Sequence, residues 1–360
     1  MKAAVSYEPK TPLRIEELEI DAPRQGEVKI RLAATAVCHS DLHYLQGDWI
    51  GNFPMVAGHE SAGYVEEVGE NVTLTKPGDR VIVSLLRACG RCYYCTNGMP
   101  NHCIGTFALD TESRLRDKQG NPVVQGVRVG GFADYAIVDQ SQVVQVSEDI
   151  PLDRAALLAC GVMTGVGAVV NTAQVKVGSS VVVIGSGGVG LNAIQGAQIA
   201  GAARIIALDV VDMKLEAAKR FGATDAINAQ REDLRTVIKD LTEGRGADYV
   251  FVTVGSTSAV QQGLTLLRRA GTLVIVGMPQ ARATAALPVI VVANSGLRIL
   301  GSLMGSSRFS VDIPWLVDLY KQKRLKLDEL ITNRYPLAQI NEAIESMEQG
   351  KALRNVIVWE

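Results

Sequence analysis

Along the second half of the chain, short apolar runs alternate with longer segments of mixed character. In "SSVVVIGSGGVGLNAIQGAQIAG", residues 179–201, four β-branched residues run into a glycine-rich turn and then into apolar positions at helical spacing. "ARIIALD" reads as the next strand. "ADYVFVTVG" and "GTLVIVG" read as two more, separated by helical segments such as "AVQQGLTLLRRAG". This βαβ repetition predicts an α/β unit, a doubly wound parallel sheet with helices on both faces, over residues 162–303. The first half has a different texture. Short strands are broken by Gly/Pro turns, as in "KPGDRVIV", and "ESAGYVEEV" alternates as a half-buried strand does, which predicts an irregular, mainly-β domain. A β-rich run ends at "AVCHSDLH", and "LLACGVMTGVGA" reads as the entry to a helix. Beyond residue 303 the chain turns helical and closes on "LRNVIVW", a strand that rejoins the first domain, which is therefore assigned residues 1–161 and 304–360.

Length and charge agree with two domains acting on small molecules. The 360 residues exceed what one hydrophobic core usually organises. Thirty-six basic against 38 acidic residues leave a net charge of -2, with no basic patch dense enough for nucleic acid or a membrane surface. The N-terminus lacks the apolar core of a signal peptide, and no later apolar run approaches the roughly 20 residues that span a bilayer. These features predict a cytoplasmic protein.

In a reducing compartment clustered cysteines point to metal binding or catalysis rather than to disulfides. Four of the six cysteines lie in "ACGRCYYCTNGMPNHC" at Cys89, Cys92, Cys95 and Cys103, with tight turns at "CG" and "NGMP". C-x2-C-x2-C-x7-C suits a closed tetrahedral zinc site. An iron–sulfur cluster is the metal alternative, although that run usually ends in Cys-Pro and Cys103 precedes Ile104; four unliganded thiols is the plain one. His102 is a bystander. The remaining Cys38 and Cys160 stand apart, with His59 and Glu60 between them, and Cys38, His59 and Cys160 form a candidate Cys2His set that leaves a fourth zinc position open.

The glycine-rich turn carries a second chemistry. G-x-G-x-x-G at Gly185, Gly187 and Gly190 follows a strand and opens a helix, the context in which a pyrophosphate rests on a helix N-terminus. Asp209 ends the next strand, nineteen residues beyond Gly190, where a carboxylate accepts from a ribose diol and repels a 2'-phosphate; no arginine follows at once, so NAD is preferred to NADP.

With these motifs in view, the sequence closely resembles the zinc-containing alcohol dehydrogenases of the medium-chain dehydrogenase/reductase superfamily. The resemblance runs through nearly the whole chain: "CHSD" at 38–41, "GHE" at 58–60, the four-cysteine lobe, "GSGGVG" at 185–190 and "GKALRNVIV" at 350–358. It implies a Rossmann domain plus a GroES-like catalytic domain carrying a structural zinc lobe at about 88–104. It implies two Zn²⁺ per chain, one held by Cys38, His59 and Cys160, the other by Cys89, Cys92, Cys95 and Cys103. Alcohol dehydrogenase is itself the standard example of a catalytic Cys2His zinc, so this assignment rests on the resemblance.

Carried over position by position, the resemblance places Glu60 near the catalytic metal, Asp41 behind the His59 ring, Ser40 on the bound alcohol and His43 at the outer end of a proton relay. His39 stands where many relatives have an arginine on the coenzyme pyrophosphate, with Arg354 as another pyrophosphate contact and Lys214 at the adenosine ribose. Thr164, Gly188, Val189, Val276 and Met278 join the NAD(H) site, and Trp49, Leu85 and Met278 line the substrate pocket. The expected activity is reversible hydride transfer between a primary or secondary alcohol, aromatic alcohols included, and NAD, giving an aldehyde or ketone. A polyol dehydrogenase, a carbonyl reductase and a non-catalytic zinc- and dinucleotide-binding relative are the alternatives. The expected partners are a small alcohol or carbonyl substrate and further copies of the chain, as a homodimer or homotetramer. Residues 104–130 read as a long polar connection that shapes the pocket rim or a subunit contact, or else as a solvated loop.

Overall fold

The computed structural model describes residues 1–359. The chain forms two compact units, one of residues 1–161 and 308–360 and one of residues 162–307.

The first unit is built on strand Glu27–Ala36, whose inward positions Val28, Ile30, Leu32 and Ala34 are buried. That strand pairs antiparallel with Glu60–Val68, and at its far end with Arg354–Val358. The register sets Ala36 opposite both Glu60 and Val356. The chain ends carrying Cys38, His59, Glu60 and Arg354 therefore meet at one end of a single sheet. A second, six-stranded sheet contains Lys2–Ser6, Met55–Val56, Pro122–Gln125 and Leu115–Arg116.

This corrects the reading of 104–130 as a polar connection or solvated loop. Leu115 and Val123 are cross-strand partners in the core, and Val124 pairs with Met55. Arg114 is fully buried, with Nη2 at 2.6 Å and Nε at 2.9 Å from the Glu27 carboxylate. Strands of two to four residues are too short to show an alternation, and their pairing supplies what the pattern lacks.

The second unit is the doubly wound sheet. Ser180–Ile184 lies centrally, with Arg204–Asp209 and then Asp225–Asn228 to one side and Ala247–Val252, Leu267–Ile275 and Arg298–Gly301 to the other, every pair parallel. This is the 3-2-1-4-5-6 strand order of dinucleotide-binding folds. Its core is the continuous apolar face of these strands, including Val182, Ile206, Val250 and Leu273. The helical reading of "LRRAG" is corrected here. The helix stops at Leu266, and Leu267 onward extends the strand, where Arg268 Nε pairs with Asp248 at 2.5 Å. Local helix propensity yields to sheet pairing across the Ala247–Leu267 register.

The helical run Leu152–Ala173, 22 residues, is long and apolar enough to cross a membrane by length and composition, which corrects the expectation that no apolar run approaches that length. Of its most apolar window, 83% is buried within the fold, as in a core helix.

Candidate active site and metal centres

Strand register and helix capping bring Cys38, His59, Glu60 and Cys160 together. Cys38 caps the short helix His39–Leu45, with extended backbone at φ -122° and ψ 150°. Asp41, at the third helical position, accepts the Cys38 backbone N–H at 3.1 Å through Oδ2. Its Oδ1 accepts the Gly58 N–H at 2.9 Å and the His59 Nδ1–H at 3.0 Å. One buried carboxylate thus fixes the cap, the turn before His59 and the His59 tautomer, and each bond to a charged acceptor is worth about 1.5–3 kcal/mol. Gly58 sits at φ +93°, and a Cβ there would lie 2.7 Å from the Phe132 backbone nitrogen, so only glycine admits this turn.

Cys160 lies in a widened π-helical turn, Leu158–Val162. The Ser84 hydroxyl, fully buried, donates to the Ala159 carbonyl at 2.7 Å and ties this turn to the end of strand Arg80–Val83. One donor atom from each of Cys38, His59, Glu60 and Cys160 lies within 4.8 Å of all the others. His59 Nε2 and Glu60 Oε1 are buried without hydrogen-bond partners. Two orphaned ligand atoms beside two converging sulfurs are what a zinc ion requires.

Charge in the cluster is strongly coupled. The hydrogen bond from the Cys160 thiol holds Cys38 well below the ordinary thiol range, and the same bond pushes Cys160 up. Burial disfavours a charged His59, but the Asp41 carboxylate and Cys38 outweigh it and hold the ring's proton affinity well above the usual value. Burial pushes Glu60 up to about 8 against the pull of Arg354. Arg354 is itself buried, and its Nη2 pairs with Glu60 Oε2.

In the lobe, Cys89, Cys92, Cys95 and Cys103 also place their sulfurs within 4.8 Å of one another. Cys92 Sγ and Cys103 Sγ are 3.9 Å apart, close to the ~3.8 Å edge of a tetrahedron with zinc–sulfur bonds of about 2.3 Å. Backbone N–H groups of Cys89 and Gly105 point at Cys103 Sγ at 3.2 and 3.3 Å, an arrangement suited to thiolates.

In the second unit, strand Ser180–Ile184 runs through Gly185, at φ +94°, into helix Gly188–Ile199 capped by Gly187. A Cβ on Gly190 would stand 1.8 Å from the Gly185 carbonyl oxygen, whereas a Cβ on Gly187 would meet nothing within 4 Å. The third glycine serves helix–strand contact, and the second faces open space that a pyrophosphate can enter. The Asp209 carboxylate accepts N–H bonds from Ser186 at 2.7 Å, Val210 at 2.8 Å and Val211 at 3.0 Å. It is fixed in place beside the loop, and these features fit a dinucleotide.

Known proteins resemble this chain along its whole length. The zinc-binding dehydrogenase family matches residues 188–322, and the alcohol dehydrogenase GroES-like domain matches residues 24–148. The chain is 40% identical to alcohol dehydrogenase class-3 of Pisum sativum over 369 residues, 99% of this chain and 97% of that one. The chain belongs to the zinc-containing alcohol dehydrogenases. Identity to the NDMA-dependent alcohol dehydrogenase of Amycolatopsis methanolica is also 40%, over 99% of this chain and 98% of the relative. The crystal structure of benzyl alcohol dehydrogenase from Acinetobacter calcoaceticus superposes with a TM-score of 0.93 at 34% identity, covering 100% of this chain and 99% of that one.

Within this family fold the remaining expected residues fall as follows. Ser40 is half-buried, and its hydroxyl has no protein partner among the described residues; His39 is exposed at the start of the same helix. His43 bonds Asp48 and stacks on Trp49, so Trp49, expected as a pocket wall, packs against the His43 ring. Leu85 is half-buried beyond strand Arg80–Val83, and Met278 is 48% exposed in the second unit. Thr164 is buried with its hydroxyl toward Met304 Sδ at 3.7 Å, and Val276 is buried with its N–H on the Val252 carbonyl. Gly188 and Val189 form the first turn of the glycine-loop helix, and Lys214 is half-buried in helix Asp212–Arg220.

Arg354 differs most from expectation. Expected at the coenzyme pyrophosphate, it lies buried as a partner of Glu60, because it opens the strand that the register brings beside Cys38, His59 and Glu60. Sequence reasoning also missed Ser84, Arg114 and Asp48. Only Asp48 carried a local signal, five residues after His43 across a glycine turn.

Proposed function

We propose that this protein is an NAD-linked alcohol dehydrogenase with two zinc ions per chain, interconverting a primary, secondary or aromatic alcohol with its aldehyde or ketone. The observation that carries this reading is the buried cluster of Cys38, His59 and Cys160, with His59 Nε2 orphaned at its centre. Cys38, His59 and Cys160 hold the catalytic zinc, and Cys89, Cys92, Cys95 and Cys103 hold the structural one. When bound, the zinc supplies Lewis acidity at the alcohol oxygen and the nicotinamide supplies a hydride acceptor.

The chain's own residues do the rest. Asp41 holds His59 with Nδ1 protonated, leaving Nε2 as the ligand atom. Ser40 Oγ accepts the alcohol proton and passes its own toward His43, whose ring exchanges it with solvent. The glycine loop seats the pyrophosphate, with Lys214 and Asp209 at the adenosine ribose, and the fixed Asp209 charge selects NAD over NADP. The likeness to a benzyl alcohol dehydrogenase supports an aromatic substrate. Six free cysteines suit the reducing cytoplasm. The exposed run Leu287, Val289, Ile290 and Val291 and the edge strand Arg298–Gly301 suit a homodimer or homotetramer.

A panel of primary, secondary, aromatic and polyol substrates, followed at the NADH absorbance, tests the reaction. Ser40→Ala should lower turnover about 100-fold or more with zinc content and NADH binding unchanged, and His43→Gln should lower it less, with partial recovery in added buffer base. Zinc-loaded protein that oxidises no alcohol in the panel overturns the reading, and near-normal turnover by Ser40→Ala overturns the relay.

A further inference from the structure

The imidazole of His43 is held by two of the six residues that follow it, Asp48 and Trp49. Helix His39–Leu45 ends in a turn in which the Gln46 N–H donates to Leu42 and the Gly47 N–H to Tyr44, and the chain then doubles back. The Trp49 N–H donates to the His43 carbonyl at 3.1 Å. This places Asp48 Oδ2 at 2.9 Å from His43 Nδ1 and lays the Trp49 ring over the imidazole, with centroids 4.6 Å apart and planes at 24°. Tyr44 in turn meets Trp49 edge-on at 5.4 Å. The His43 and Asp48 side chains are mostly shielded, 21% and 20% exposed.

An ionised carboxylate can only accept, so the hydrogen in this contact belongs to Nδ1. In the neutral ring that leaves Nε2 without a proton. We propose that Asp48 is a positioning residue for the proton relay: it keeps the His43 proton on Nδ1, so that Nε2 is the bare base that receives the proton arriving from Ser40. The proton count closes without a co-reactant. Nε2 gains one proton, the imidazolium stays paired with Asp48, and the same proton leaves from Nε2 to solvent. Trp49 completes the hold by preventing ring rotation, a role distinct from lining a pocket. This inference rests on the relay reading of Ser40 and His43.

The alternative is that Asp48 only closes the helix end. Asp48→Asn separates the two, because the amide keeps the size and can still close the turn, yet it can donate to a bare Nδ1 and so admits the Nε2–H tautomer. The zinc-loaded full chain, labelled with ¹⁵N-histidine, gives a direct readout, since the protein has four histidines and His43→Gln assigns the one in question. Two-bond ¹H–¹⁵N correlation should show His43 as the Nδ1–H tautomer. Asp48→Asn should show a mixture, with alcohol turnover lowered about 10-fold, KM for NAD and zinc content unchanged, and partial recovery in added imidazole. An Nε2–H tautomer in the unsubstituted protein overturns the inference, as does Asp48→Asn with unaltered tautomer and turnover. Should that variant fail to fold, Asp48→Ser takes its place, and the tautomer of the unsubstituted protein still decides. Wild-type turnover by His43→Gln would instead overturn the relay, while the tautomer measurement reports on Asp48 separately.

Discussion

Replacing Gly187 and Gly190 by alanine, one at a time, should separate coenzyme binding from folding within one loop. At Gly190 the added methyl would sit 1.8 Å from the Gly185 carbonyl oxygen and 2.9 Å from Thr253 Oγ1, so helix and strand must part by more than an ångström. Overpacking of that kind costs about 1–3 kcal/mol, which for a unit of this size is a fall of roughly 2–12 °C in its melting temperature. At Gly187 the methyl would meet nothing within 4 Å, and the backbone, at φ -78°, suits alanine. The poorer N-cap and the reduced freedom of the unfolded chain roughly cancel, leaving stability within about 1 kcal/mol. The methyl would nevertheless occupy the space in which the pyrophosphate is proposed to lie. Losing one phosphate–N–H bond, about 1.5–3 kcal/mol, weakens binding roughly 10- to 150-fold. NADH titration by fluorescence and thermal unfolding of the coenzyme-free protein measure both. Gly187→Ala protein that binds NADH within about twofold of the parent would refute the placement of the pyrophosphate, and Gly190→Ala protein of unchanged stability would refute the packing argument.

Metal analysis of the purified protein should give two zinc ions per chain; Cys95→Ser should mainly lower stability and Cys160→Ala mainly activity, and equal melting losses would contradict that division. Asp209→Gly should weaken NAD binding and narrow the gap to NADP, measured as the ratio of kcat/KM for the two coenzymes. Arg114→Met leaves the Glu27 carboxylate buried and unpaired, and denaturant titration should show a loss of about 3–5 kcal/mol, much of it recovered by adding Glu27→Leu. Burial pushes the Asp248 carboxyl up, but the Ser180 N–H and Arg268 outweigh it and hold it below 3.8. A depressed carboxylate stabilises the fold above its unfolded value and loses that contribution as pH falls through the lower, folded value. Asp248→Asn should therefore be less stable than the parent at neutral pH, with the difference closing below about pH 4 in melting curves.

The sequence by itself determined whatever depends on near neighbours along the chain. The spacing of Gly185, Gly187 and Gly190 after a β-branched run specifies a strand–turn–helix through local sterics, and the spacing of Cys89, Cys92, Cys95 and Cys103 keeps four sulfurs within reach of one centre. Alternation in "ESAGYVEEV" likewise marks a strand without reference to its partner. The tertiary structure alone decided what sheet register brings together. Cys38 and Cys160 meet because Ala36 pairs with Glu60 and Ser84 anchors the turn at Ala159, contacts between residues far apart in sequence. The same long-range pairing turned Arg354 inward onto Glu60, buried Arg114 against Glu27 and made strands from "LRRAG" and from parts of 104–130. A buried charge leaves no periodic trace, since its position is stable only once its partner has been delivered by another strand, and that delivery is a property of the packed fold.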